Sequence, residues 1–273
     1  MLIQKEFHDV PSPLDGGRPI RVFVISPVVP NYPQAKFPGV VVFSEIYQVT
    51  GPVERFAGSI ASQGYVVACP STYHEFEGPE AIPYDVEGTD RGNKYKIQKT
   101  VAAYDEVGPK IAYLRSPESE DFRTQPFPWI CSCLYQTAMA VSQVYRPTLV
   151  QSTLMLFQAT GMCLGGHLTF RAAFDPRILA SVCFFATDIH SASLGKGGDD
   201  TLVRVRNGDL TGKGELVMIF GKQDTHVPRA GREPHSHHSR RRQYPRLVPR
   251  GPGPTRLHPG LKQSKGRWDA ALT

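Results

Sequence analysis

Residues 161–166 read Gly-Met-Cys-Leu-Gly-Gly, and this G-x-C-x-G-G run constrains the fold more than any other part of the chain. Thr160-Gly161-Met162 leads into it like the end of a strand, and residues 167–174 after it read as a helix. Cys163 therefore falls on a sharp strand-to-helix turn, the nucleophile-elbow pattern with cysteine where serine is usual. Such a turn is strained, and a Cβ at the flanking positions would collide with the neighbouring strand or helix. It also puts the thiol at the positive end of a helix, which favours thiolate. The bland alternative is a buried small hydrophobe. Three glycines at the required offsets speak against it.

The rest of the chain supplies the sheet that such a turn needs. Arg21-Val22-Phe23-Val24-Ile25 alternates like a half-buried strand. Gly39-Val40-Val41-Val42-Phe43 is a β-branched run suited to a strand covered on both faces. Residues 50–63 place Val53, Phe56, Ala57, Ile60 and Ala61 at helical spacing, with Gly64 as the stop. Residues 65–70 form the next strand, and after a polar loop residues 97–114 return to helical spacing. Residues 179–186 and 216–220 complete the apolar strands. Strands alternating with helices predict an α/β fold with a mostly parallel sheet and helices on both faces. The Gly-Lys-Gly-Gly run at Gly195 lacks P-loop spacing and no G-x-G-x-x-G follows a strand, so no nucleotide cofactor is expected, nor any other.

Two further carboxylates stand at strand ends. Asp224 lies just past residues 216–220, where the acid of a nucleophile–acid–histidine order belongs; the competing role is an aspartate that caps its own turn. Glu45 follows residues 39–43, a place that usually holds a solvated strand end or a helix cap. The loop that carries it supplies the second oxyanion-hole amide in such a fold. The N–H groups of Ile46 and Leu164 could thus converge on one oxygen.

These residues, with Ser44-Glu45-Ile46-Tyr47, Gln63-Gly64-Tyr65, Thr187-Asp188-Ile189-His190 and residues 221–228, resemble the dienelactone hydrolases, and particularly their fungal-type members. This is the cysteine branch of the α/β-hydrolases, and the match covers roughly residues 8–116 and 159–232. The resemblance implies an α/β-hydrolase fold, with Cys163 as nucleophile, Asp224 orienting a histidine, and Ile46 and Leu164 as oxyanion donors. It implies that Glu45 pairs with the thiol and helps to generate thiolate as substrate binds. The reaction implied is hydrolysis of a small ester or lactone through a thioester acyl-enzyme, without a metal. Arg91 and Lys94 are candidates for holding a substrate carboxylate, on no family motif.

Two segments depart from that plan. Residues 117–157 have no periodicity where the family runs almost directly into the strand before the elbow, and they read as a retained intron rather than a genuine insertion. Within them residues 127–145 carry no charge and are long enough to span a bilayer, but Pro128, Gln136 and Gln143 interrupt them, so no membrane partner is expected. Residues 233–262 are a basic, irregular tail. Between Arg229 and Arg256 there are eight arginines and one acid, which exceeds the net charge of +6 carried by the whole chain. The domain itself is close to neutral, and a nucleic-acid partner is not expected. With no apolar run among the first ten residues, the expected location is the cytosol. The chain reads as one domain, residues 1–273, and no pattern in it specifies an oligomeric state.

The tail also removes the family's histidine segment, which resembles Q-H-A-F-I-R-D. His226 reads as a loop residue beside Asp224 rather than as the base, and His235, His237 and His238 as part of the arginine-rich tail rather than as a metal site. Without its histidine the chain could instead be an inactive pseudo-enzyme or a binding protein that keeps the pocket. Read one base later, codons for residues 254–261 admit Q-H-A-F-I-R-D throughout, so residues 233–261 read as translated out of the ancestral frame. Sequencing the coding DNA is expected to show that a one-base shift there restores H-A-F-I-R-D; a sequence in which no single-base shift does so contradicts this reading.

Overall fold

The computed structural model describes residues 2–12, 17–31, 35, 37–107, 157–228 and 230–231, and the backbone of residues 246–250. Eight strands form one sheet in the order β1-β2-β4-β3-β5-β6-β7-β8. They are β1 (Leu2–Val10), β2 (Ile20–Val28), β3 (Gly39–Phe43), β4 (Val66–Pro70), β5 (Phe157–Met162), β6 (Ile178–Phe184), β7 (Glu215–Gly221) and β8 (Arg246–Arg250). β1 pairs antiparallel with β2 and β2 antiparallel with β4, while every pairing from β4 onward is parallel. This is the α/β-hydrolase architecture, a mixed and mostly parallel sheet.

Side-chain alternation along β3 divides the core. Val40 and Val42 pack with Val53, Ala57 and Ile60 of α1 (Gly51–Ala61), while Val41 and Phe43 face the opposite side with Tyr73, Leu164 and Leu168. The period of two is why an uninterrupted valine run marks a strand buried on both faces. α1 begins with a proline in its first turn and gives way to Gly64 at φ 91°, the left-handed stop expected from the sequence. α4 (Leu164–Ala172) runs from the end of β5, and Phe170 and Phe174 pack with Met218 and Phe220 of β7.

The sequence expectation differs from the structure in three places. The stretch read as a polar loop before residue 97 contains α2 (Val86–Gln98), and the helix expected over residues 97–114 is broken. It resumes as α3 (Val101–Val107) after an extended Lys99. Mostly polar, α2 hides its hydrophobic signal because the residues it buries fully are Gly88 and Gly92. A Cβ at Gly92 would stand 2.5 Å from the carbonyl oxygen of Ile46, so the helix backbone lies directly on the loop after β3. Asp85 caps it, accepting the Gly88 N–H at 2.7 Å. The break at Lys99 has an electrostatic cause: its side chain is fully buried and ion-paired with Glu75, while its carbonyl accepts the N–H of Lys196.

Second, the tail read as irregular over residues 233–262 contains β8, parallel to β7 from Val217↔Arg246 to Gly221↔Arg250. Leu247 and Val248 suit a strand, and Pro249 is tolerated because β8 lies at the sheet edge. Third, Phe157 belongs to β5 and not to the segment before it. Residues 117–156 and the remainder of 233–262, including His235, His237, His238 and His258, lie outside the described residues.

Candidate active site

The parallel strands deliver their C-terminal ends to one side of the sheet, where open α/β sheets bind ligands. A cleft of about 160 Å³ opens there. Its lining includes Glu45, Ile46 and Tyr47 after β3, Asn93 and Lys96 on α2, Cys163 after β5, Thr187 and Asp188 after β6, and Asp224 and His226 after β7.

Cys163 sits at φ 57°, ψ −118°, a backbone conformation that side-chain-bearing residues rarely adopt, and it is held there from four directions. Its N–H donates to the Phe184 carbonyl at 3.1 Å. Its carbonyl accepts from Gly166, His167 and Thr187. The glycines of the motif answer to close approaches. A Cβ at Gly165 would stand 2.1 Å from the Phe43 carbonyl oxygen, one at Gly161 2.4 Å from the Gly165 oxygen, and one at Gly166 2.8 Å from the Phe184 oxygen. The elbow expected from the sequence is present with its physical reason.

The electrostatic expectation is overturned. The Cys163 thiol is pushed up to about 11, chiefly by burial and then by the Glu45 carboxylate, against the opposing pull of the Leu164 N–H and Lys96. Surrounding protein withdraws water from the sulfur although the side chain keeps a partial opening to the cleft, and that cost outweighs the helix N-terminus. Burial and the Glu45 charge both favour the protonated form of Cys163.

Glu45 is buried, neither a solvated strand end nor a cap. It accepts a hydrogen bond from the Tyr84 hydroxyl at 3.2 Å. Asp224 is buried at the cleft, and the turn-capping role weighed for it is present. It lines the site, and its Oδ1 accepts the His226 N–H at 2.8 Å, capping its own turn. Ile46 lines the cleft, while Leu164 is wholly buried at the start of α4, next to Cys163 in the chain.

Of the cations considered in the sequence, Arg91 lies beside Glu77 at 3.4 Å, and neither Arg91 nor Lys94 is among the cleft residues. Lys96 holds that position, with its Nζ 3.0 Å from Oδ2 of Asp188. The spacing Thr89, Asn93, Lys96 on one helix face would have singled it out had α2 been recognised as a helix. His167, one turn beyond Cys163, is not among the cleft residues. Its Nε2 lies 3.1 Å from Thr201 Oγ1 and 3.4 Å from Asp199, and burial pulls its pKa down, favouring the neutral ring. It ties α4 to the loop before α5 (Thr201–Asn207). Among the described residues no group of three or more His, Cys, Asp or Glu side chains could hold a metal ion, and no helix is long and apolar enough to cross a membrane.

The comparisons with known proteins agree with this geometry. Residues 20–121 match the model of the dienelactone hydrolase family. A Saccharomyces cerevisiae protein named "Putative carboxymethylenebutenolidase" is 46% identical over 233 residues, covering 85% of this chain and 73% of that one. This chain belongs to the dienelactone hydrolase family. Solved structures share its fold at low identity. One is a dienelactone hydrolase-like promiscuous phosphotriesterase from metagenomic libraries, at 14% identity and TM-score 0.60, covering 99% of this chain and 92% of that one. Another is a cold-adapted esterase from an Arctic intertidal metagenomic library, at 13% identity and TM-score 0.53, covering 94% and 87%. As a dienelactone hydrolase family member the chain is an enzyme of the hydrolase class acting on ester or lactone bonds of small molecules.

The raised thiol has a direct test. Alkylation of Cys163 by iodoacetamide, followed by mass spectrometry of its peptide, is expected to accelerate with pH up to about 11. A plateau near the ordinary thiol value of about 8.5 would contradict the burial and Glu45 argument.

Proposed function

We propose that this dienelactone hydrolase family member hydrolyses small esters or lactones with Cys163 as nucleophile, through a thioester acyl-enzyme. The observation that carries the reading is the strained elbow, which presents Cys163 at the mouth of a cleft shared with Glu45, Ile46 and Asp224. In the proposed reaction the Cys163 sulfur loses its proton and bonds to the carbonyl carbon. The carbonyl oxygen gains negative charge between the N–H groups of Ile46 and Leu164. Collapse of that intermediate breaks the C–O bond, and the alkoxide leaves as the alcohol with the proton taken from sulfur. In a lactone the alcohol stays tethered to the acyl group. Water then attacks the thioester, releasing the carboxylic acid and returning the thiol.

Glu45 is the group placed to influence the proton on sulfur, because its charge already acts on the thiol. Asp224 is proposed to orient a histidine. The family's histidine segment is missing from the sequence as written, and among the described residues His226 is the histidine that lines the cleft. Acylation is therefore expected to outrun hydrolysis of the thioester. The same absence favours the second reading, a pseudo-enzyme whose pocket binds without turnover. The domain is proposed to be one unit over residues 1–273, with 117–157 and the tail additional to the family plan, and the cytosol is its proposed location.

Turnover of p-nitrophenyl acetate by the full chain and by Cys163→Ala decides between these readings. Turnover that falls to the uncatalysed level in Cys163→Ala supports hydrolysis through the thiol. Turnover retained in Cys163→Ala rules it out, and thiol labelling without turnover in the unaltered chain marks the pseudo-enzyme.

A further inference from the structure

We infer that Tyr84 is a positioning residue for this site: its hydroxyl, oriented by Thr50, fixes the Glu45 carboxylate beside Cys163. The inference rests on the role proposed for Cys163 and Glu45 and adds to the site a residue that does not itself line the cleft.

The hydrogen bonds have a definite direction. An ionised carboxylate only accepts, so the Tyr84 O–H, 3.2 Å from Oε2 of Glu45, is the donor. Tyr84 has one proton, already committed. The Thr50 Oγ1, 2.6 Å from the Tyr84 oxygen, must therefore donate to it. The chain runs Thr50 → Tyr84 → Glu45 and ends on a buried charge, where hydrogen bonds are strongest. Burial and the Glu45 charge both push the Tyr84 phenol well above its ordinary value, so it stays a donor at any working pH.

The surroundings hold the phenol in place. Its ring lies tilted against that of Tyr47, with centroids 4.5 Å apart. Its loop is stapled to the one after β3 by Gln48, whose side-chain amide donates to the carbonyls of Gly78 and Glu80 at 2.8 and 3.0 Å. The Ile82 N–H donates to the Tyr47 carbonyl at 2.9 Å. The Thr50 hydroxyl is not spent on capping α1, although Thr50 occupies the N-cap position. Both hydroxyls thus stand in line with Glu45, a carboxylate whose charge acts on the sulfur.

The charged and titratable groups around the thiol come from five elements. They are Glu45 and Tyr47 after β3, Lys96 on α2, Asp188 after β6, and Asp224 and His226 after β7, with the buried Tyr73 after β4 also acting on the thiol. Tyr84 reaches the thiol only through Glu45. Removing its hydroxyl releases the carboxylate from its station, weakens its field at the sulfur and makes the proton easier to remove.

The experiment is a double-mutant cycle read by the pH dependence of Cys163 alkylation with iodoacetamide, on the full chain. Tyr84→Phe is expected to lower the apparent pKa of the thiol and to speed alkylation about threefold at a fixed pH below it. Glu45→Gln should move it further in the same direction, and Tyr84→Phe should have no effect in the Glu45→Gln background. Thr50→Val should act in the same direction as Tyr84→Phe and stands in for it if that variant does not fold. An unchanged or raised thiol pKa, or an equal shift in both backgrounds, overturns the inference. Because alkylation needs no turnover, a chain that hydrolyses nothing still reports on Tyr84. Conversely, hydrolysis through Cys163 with no Tyr84 effect removes only the positioning role.

Discussion

The constraint on which the site depends is the contact of α4 with the end of β3, where the backbone of Gly165 lies against the carbonyls of Phe43 and Ser44. Space for a methyl group does not exist there, since it would stand 2.1 Å from one oxygen and 2.6 Å from the other. That approach lets the chain leave β5, turn at Cys163 and enter a helix without moving away from the sheet. The loop after β3 is thereby brought beside Cys163 with Glu45 and Ile46 on it. α2 repeats the device from the other side, with Gly92 against the carbonyl of Ile46. The Glu45–Ile46 loop is thus caught between two glycine contacts, and a site made of loops acquires the rigidity of packed backbone.

Electrostatically the site works against a simple reactive-cysteine account. A helix N-terminus favours thiolate, but burial and a neighbouring carboxylate act in the opposite direction and prevail. A thiol kept protonated is protected from adventitious alkylation and oxidation, which act on the thiolate. Lys96 and Asp188 neutralise each other across the cleft, so the unliganded site carries a paired charge rather than an open cation.

What the sequence revealed followed from the strength of local signals. β3, β4 and β7 were legible because strands buried on both faces must be apolar throughout, and the elbow because its glycines answer to backbone contacts. α2 was not, because it packs through glycine and keeps polar side chains for the cleft and the surface, so hydrophobic periodicity missed it. With it went Lys96, Asn93 and Tyr84, whose roles depend on that helix and the loop before it. β8 was hidden by its arginines and its proline, which are compatible with an edge strand but do not advertise one. That Cys163, Glu45 and Asp224 share one cleft was readable from their places at strand ends. The direction of the thiol's shift was not readable at all, since burial is a property of the folded chain.

The central claim is that Cys163 forms a covalent acyl-enzyme at the elbow. The most direct measurement is intact-protein and peptide mass spectrometry after acid quenching of the chain mixed with p-nitrophenyl acetate. The account predicts a single acetyl group on the peptide that carries Cys163, absent from Cys163→Ala and removed by hydroxylamine as a thioester should be. Nitrophenol release with no adduct on that peptide, or with the acetyl group on another residue, would contradict it.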